Sequence, residues 1–96
     1  MATITTVLCL CRVGDFDAWR PQFERDVAAQ TGVQSYRIWR SQDDRNLVAV
    51  IETRESRDAA EAVWSSPQAR QAMEQHGVEL SSVQIRYFDE VAADTR

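Results

Sequence analysis

Val7-Leu8-Cys9-Leu10-Cys11 and Leu47-Val48-Ala49-Val50-Ile51 are apolar at every position. A strand sends successive side chains to opposite faces, so a run of this kind has no face suited to water. In each run one parity set can pack beneath helices. The other set needs a cover as well, and a chain of 96 residues has no further element to supply it. The economical cover is the same face of a second copy, so a sheet-to-sheet homodimer is expected.

The flanking segments supply the remaining elements. Thr3 to Val13 is rich in β-branched and apolar residues and reads as the first strand, ended by Gly14-Asp15. Asp15 suits a helix N-cap, and Phe16, Trp19, Phe23 and Val27 form one apolar stripe at helical spacing. Pro21 fits only a first helical turn, so the helix is expected to start late or to follow a short turn over 16–20, and Gly32 is its stop. Val33 to Ser41 alternates, with Tyr36, Ile38 and Arg40 on one face and Ser35, Arg37 and Trp39 on the other. Gln42 to Asn46 is turn chemistry, and Glu52 bounds the apolar run after it.

Ser56 caps a short helix through Trp64, with Ala59, Ala60 and Val63 inward. Ser66-Pro67 restarts the helix, Ala69, Ala72 and Met73 form its stripe, and Gly77 ends it. Ser82 to Asp89 alternates Val83, Ile85 and Tyr87 against Gln84, Arg86 and Phe88, giving the last strand. The order β-α-β-β-α-β predicts an α+β fold of ferredoxin-like topology. Its four-stranded antiparallel sheet carries helices on one face, in one domain spanning residues 1–96.

Composition narrows the function classes. The net charge of −4 argues against a nucleic-acid partner. No apolar run reaches membrane-span length, and the N-terminal stretch lacks the basic start and long apolar core of a signal peptide, so a cytoplasmic location and no membrane partner are expected. All 11 basic residues are Arg, which excludes a lysine Schiff base or lysine general base. Cys9 and Cys11 lie two apart in a strand, awkward geometry for a bond between them, and read as buried reduced thiols. Two thiols and one distant histidine make no zinc site, and the glycines mark element boundaries rather than a phosphate loop.

Asp15-Phe16-Asp17-Ala18-Trp19-Arg20, Gly32-Val33, Asp43-Asp44-Arg45-Asn46, Ser65-Ser66-Pro67 and Ala72-Met73 with Gly77-Val78 resemble the landmarks of the dimeric α/β-barrel superfamily. Within it the chain is most similar to the small antibiotic-biosynthesis-monooxygenase-like proteins, some of them labelled cyclases. The resemblance implies a homodimer with facing sheets and a pocket between sheet and helices. It also implies polyketide-like, quinol or phenolic substrates, often handled without metal, flavin or haem; other relatives degrade haem or have no known activity, and no helix-borne histidine here reads as a haem ligand.

The candidate site residues follow from chemistry. His76, the only histidine, ends the broken helix, where the helix dipole favours imidazolium, and it is the candidate general acid or base. Tyr36 and Arg40 share a strand face, and together could hold a phenolate or enolate. Trp19, Phe23, Trp39 and Trp64 are candidate walls for a flat ligand. Glu52 is either a buried base or the partner of Arg37 or Arg86 across the sheet. Each has an ordinary structural alternative: helix packing for Trp19 and Phe23, pairing with Asp43 or Asp44 for Arg40, solvent exposure for His76. The function expected is a cofactor-independent tailoring enzyme, cyclase, isomerase or monooxygenase, acting by anion stabilisation and acid/base catalysis. The alternative is a non-catalytic dimer that binds a small molecule or a partner.

Overall fold

The computed structural model describes residues 4–96. In order along the chain come β1 (Thr5–Val13), α1 (Phe16–Ala29), β2 (Ser35–Arg40), β3 (Leu47–Arg54), α2 (Arg57–Trp64), α3 (Pro67–Gln75) and β4 (Val78–Phe88). The strands form one sheet in the order β2-β3-β1-β4, with every neighbouring pair antiparallel. This is the expected ferredoxin-like βαββαβ arrangement, its second helix divided in two. The expected strand beginning at Thr3 has its first residue outside the described residues, and from Thr5 it is a strand.

Polar side chains set the helix ends. The Asp15 carboxylate accepts from the Asp17 N–H, and the hydroxyls of Ser56 and Ser66 accept from the Ala59 and Ala69 N–H groups. Pro67 then occupies the first turn of α3. His76 caps the C-terminus of α3, and Gly77 follows with φ +81°, the left-handed turn that glycine adopts without a steric penalty.

Four boundaries differ from the sequence expectation. α1 is continuous from Phe16 with Pro21 inside it, neither late nor preceded by a separate turn. The carbonyl that Pro21 leaves without its helical donor belongs to Asp17, an exposed residue. β2 begins at Ser35 and ends at Arg40, inside the expected 33–41. β4 begins four residues early, at Val78, and ends at Phe88. Its pairing with β1 shifts register between Leu10 and Arg12, where the Ser82 hydroxyl takes the Arg12 N–H at 2.8 Å. β3 runs past Glu52 to Arg54, because both charged side chains are buried together instead of ending the strand.

Alternation along β1 and β3 decides the layers. Val7, Cys9, Cys11 and Val13 of β1, and Val48, Val50, Glu52 and Arg54 of β3, are buried on the helix side. Phe16 and Trp19 of α1 close the core against them. Each fully buried valine contributes roughly 1.5–3 kcal/mol over its exposed state. On the other face the register aligns Leu8 with Ile51 and Leu10 with Ala49, flanked by Trp39 beside Ala49 and Phe88 beside Thr6. Trp39 and Phe88 are 58% and 50% exposed, and among the described residues no helix covers that face.

Candidate functional site

A cavity of about 90 Å³ lies between the helix side of the sheet and the helices. Trp19 and Phe23 form one wall, their rings stacked with centroids 5.1 Å apart. They sit four residues apart on α1 and therefore share a face. Trp64, the last residue of α2, and Met73 of α3 form the opposite wall. The lining is mostly apolar.

The polar groups gather at two places. At the helix side, His76 at the end of α3 faces Asp26 of α1, with Nδ1 3.4 Å from Oδ2. His76 is mostly covered and Asp26 half-exposed, so the pair marks the cavity's rim. At the sheet side stands a buried ion pair: Arg54 Nε donates to Glu52 Oε1 at 2.5 Å, and both residues are nearly inaccessible. Trp64 Nε1 donates to the same Oε1 at 2.6 Å, and Arg54 Nη2 donates to the Gln30 side-chain oxygen at 2.6 Å.

The arrangement has a local logic. α1 carries no basic residue in its last turn, and Arg54 of β3 reaches the side chain of its C-cap residue, Gln30. Gly32 makes room, since a Cβ there would stand 3.0 Å from Arg54 Nη1. Close by in the core, the Cys9 thiol is pushed up, out of reach of ionisation, by its hydrogen bond with Cys11 and by burial. Cys9 and Cys11 are both buried and unpaired.

Of the residues singled out from the sequence, the structure brings five to this cavity: His76, Trp19, Phe23, Trp64 and Glu52. It does not bring the other three. Tyr36 and Arg40 share the helix-side face of β2 as expected, but β2 is an edge strand and they flank the outside of the aromatic row. The Tyr36 ring meets Phe23 edge-on at 6.1 Å, and the Arg40 guanidinium lies over Phe16, 4.8 Å from its centroid. Phe23 thus stands between Tyr36 and the cavity wall at Trp19. Asp44, considered as a partner for Arg40, is bonded to Arg12 instead. Trp39 projects from the opposite face of the sheet. Glu52 pairs with neither Arg37 nor Arg86, because the register puts both of those on the far face; its partner is Arg54.

Three residues of the site escaped the sequence reading: Asp26, Gln30 and Arg54. Arg54 carried a signal, since it continues the parity of Val48, Val50 and Glu52. Asp26 and Gln30 carried none, being polar residues off the apolar stripe of α1, on the helix and at its C-cap. Among the described residues no group of three histidine, cysteine or acidic side chains is placed to hold a metal ion. Nor is any helix long and apolar enough to cross a membrane.

Solved structures share this architecture end to end. A candidate antibiotic biosynthesis monooxygenase from Bordetella bronchiseptica superposes with a TM-score of 0.72 at 13% identity, over 94% of this chain and 99% of that one. A second, from Chloroflexus aurantiacus, gives 0.71 at 15% identity over 97% and 98%. SnoaB, a cofactor-independent oxygenase from Streptomyces nogalater, gives 0.66 at 18% identity over 99% and 97%. The chain has their fold. The resemblance drawn from the sequence landmarks to antibiotic-biosynthesis-monooxygenase-like proteins is thus met by structures of that name over nearly the whole chain. No family model and no curated protein matches the sequence. At such identities the likeness to the monooxygenase-like proteins is one of fold, and the chemistry has to be argued from this chain's own residues.

Proposed function

We propose that the chain is a cofactor-independent oxygenase of natural-product tailoring, acting on a phenolic or polyketide-like substrate. One observation carries this reading: the only histidine of the chain stands at the rim of an aromatic-walled cavity with a carboxylate behind it. Asp26 faces Nδ1, which leaves Nε2 to the substrate. Trp19, Phe23 and Trp64 hold the ring plane. The names borne by the structural neighbours support oxygen chemistry over ring closure.

The reaction needs no redox group from the protein. His76 removes a proton from an activated CH₂ beside the phenolic ring, and the carbanion reduces dioxygen through its own electrons. The substrate CH₂ and O₂ become C=O and water, and the carbon supplies all four electrons. His76 returns its proton to the departing oxygen.

Tyr36 and Arg40 stand off the cavity and do not take the anion-holding role expected of them. The unaccompanied face of Leu8, Leu10, Ala49 and Ile51 supports a homodimer with facing sheets. The buried unpaired thiols support a reducing, cytoplasmic setting.

A second reading, a non-catalytic dimer that binds a small molecule or a partner, is favoured by the cavity's small size, about 90 Å³ against roughly 300–1,000 Å³ for typical ligand pockets. Dioxygen uptake separates the two. A panel of phenols bearing an activated CH₂ beside the ring is offered with chelator present and no flavin added. The oxygenase consumes one O₂ per substrate, and His76→Ala lowers kcat by roughly 10²–10⁴ with the fold kept. Undiminished turnover in that variant would remove His76 from the mechanism. Ligand binding without any oxygen uptake would establish the second reading.

A further inference from the structure

The buried end of the cavity carries a feature that proton abstraction at His76 does not use. Glu52 is 1% exposed, and its two neighbours, Trp64 Nε1 and Arg54 Nε, both donate to Oε1. Among the described residues Oε2 accepts no hydrogen bond, yet no buried side-chain oxygen or nitrogen is both sealed off and unpartnered. Oε2 therefore retains an accessible patch, and the space Glu52 lines is the cavity. An ionised carboxylate oxygen held in an apolar chamber is a strong acceptor without a donor.

We propose that Glu52 Oε2 is the specificity-determining contact of this cavity, and that the ligand enters ring-first with a neutral hydroxyl, of phenol type, at its buried tip. The inference rests on the cavity being the substrate site and names the chemistry of the end it receives. A volume of about 90 Å³ holds no more than one ring, so the remainder of a larger substrate stays at the rim beside His76 and Asp26. A hydroxyl donor completes Oε2. An ether oxygen faces it with two acceptors opposed, and a carboxylate adds like charge in a water-poor space. Arg54 does not reverse this preference, because its Nε and Nη2 are engaged by Glu52 and Gln30 and its Nη1 lies at Gly32. Glu52 is thereby a recognition residue, separate in place and role from the proton-transferring histidine.

The test is calorimetric titration of the full chain with phenol, anisole and benzoate. Phenol should bind at least about tenfold more tightly than anisole, the worth of one hydrogen bond to a charged acceptor, and benzoate should show no binding. Glu52→Gln alone leaves Arg54 buried without a counter-charge, so it is accompanied by Glu52→Gln with Arg54→Met, which removes both charges, and circular dichroism checks that each variant is folded. In the double variant the phenol-to-anisole ratio should fall to about one. Equal affinities in the unaltered protein, a preserved ratio in the folded double variant, or no binding of any of the three would each overturn the proposal. Equal affinities leave His76-dependent oxygen uptake standing, whereas a phenol preference without uptake leaves Glu52's role standing, so the two readings fail separately.

Discussion

Replacing Arg54 by Met is the most informative stability experiment. The guanidinium is about 4% exposed and engages Glu52 at 2.5 Å and Gln30 at 2.6 Å. Methionine fills much of its volume but leaves the Glu52 carboxylate buried without a cation, with only Trp64 donating to it. Breaking one side of a buried ion pair costs about 3–5 kcal/mol, a large share of the roughly 5–15 kcal/mol that holds a domain together. In a chain of this length that is a fall in Tm of roughly 12–40 °C. Removing both charges, by Glu52→Gln with Arg54→Met, should recover most of the loss, because no lone ion remains.

Urea denaturation alongside thermal scans measures both quantities. A single variant within about 1 kcal/mol of the parent, or a double variant as weak as the single one, would refute the argument that the pair is a mutually dependent buried charge unit.

Two further outcomes follow from the same reasoning. Leu10→Glu places a charge at the middle of the uncovered sheet face, beside Ala49 and Gln84, and should shift sedimentation from dimer to monomer while leaving far-ultraviolet circular dichroism unchanged; a dimer that persists would place the interface elsewhere. Asp44 is held below the ordinary carboxylate range by the Asn46 N–H and then by Arg12, so its contribution is present above about pH 4 and is lost as pH falls through the lowered value; Asp44→Asn should flatten that part of the acid-unfolding curve, followed by circular dichroism.

How much of this was legible beforehand depended on whether the information was local. The doubly apolar strands announced the sheet, and Asp15, Ser56 and Ser66-Pro67 announced the helix starts, because a cap acts within three residues of itself. Pro21 misled because its cost depends on whether the freed carbonyl meets water, a tertiary fact that Asp17's exposure decides. Glu52 misled as a strand end because a charge looks like an exit until its partner two residues on is seen to be buried with it. The cavity was half legible. Trp19, Phe23, Trp64 and His76 announce themselves by residue type, whereas Asp26 joins His76 only because α1 and α3 lie side by side on the sheet. Tyr36 and Arg40 shared a face as their spacing requires, but spacing says nothing about which strand lies at the edge.

Arg54 has a consequence for the order in which the molecule assembles. α1 ends before β3 has been reached, yet the guanidinium bound to the side chain of its C-cap residue, Gln30, sits 24 residues further along the chain. That contact forms only after β3 has docked, and the same docking brings Glu52 under Trp64. Fraying of the helix end and opening of the chamber floor are then one event, so amide exchange at residues 27–30 should report on the chamber as faithfully as any probe placed inside it.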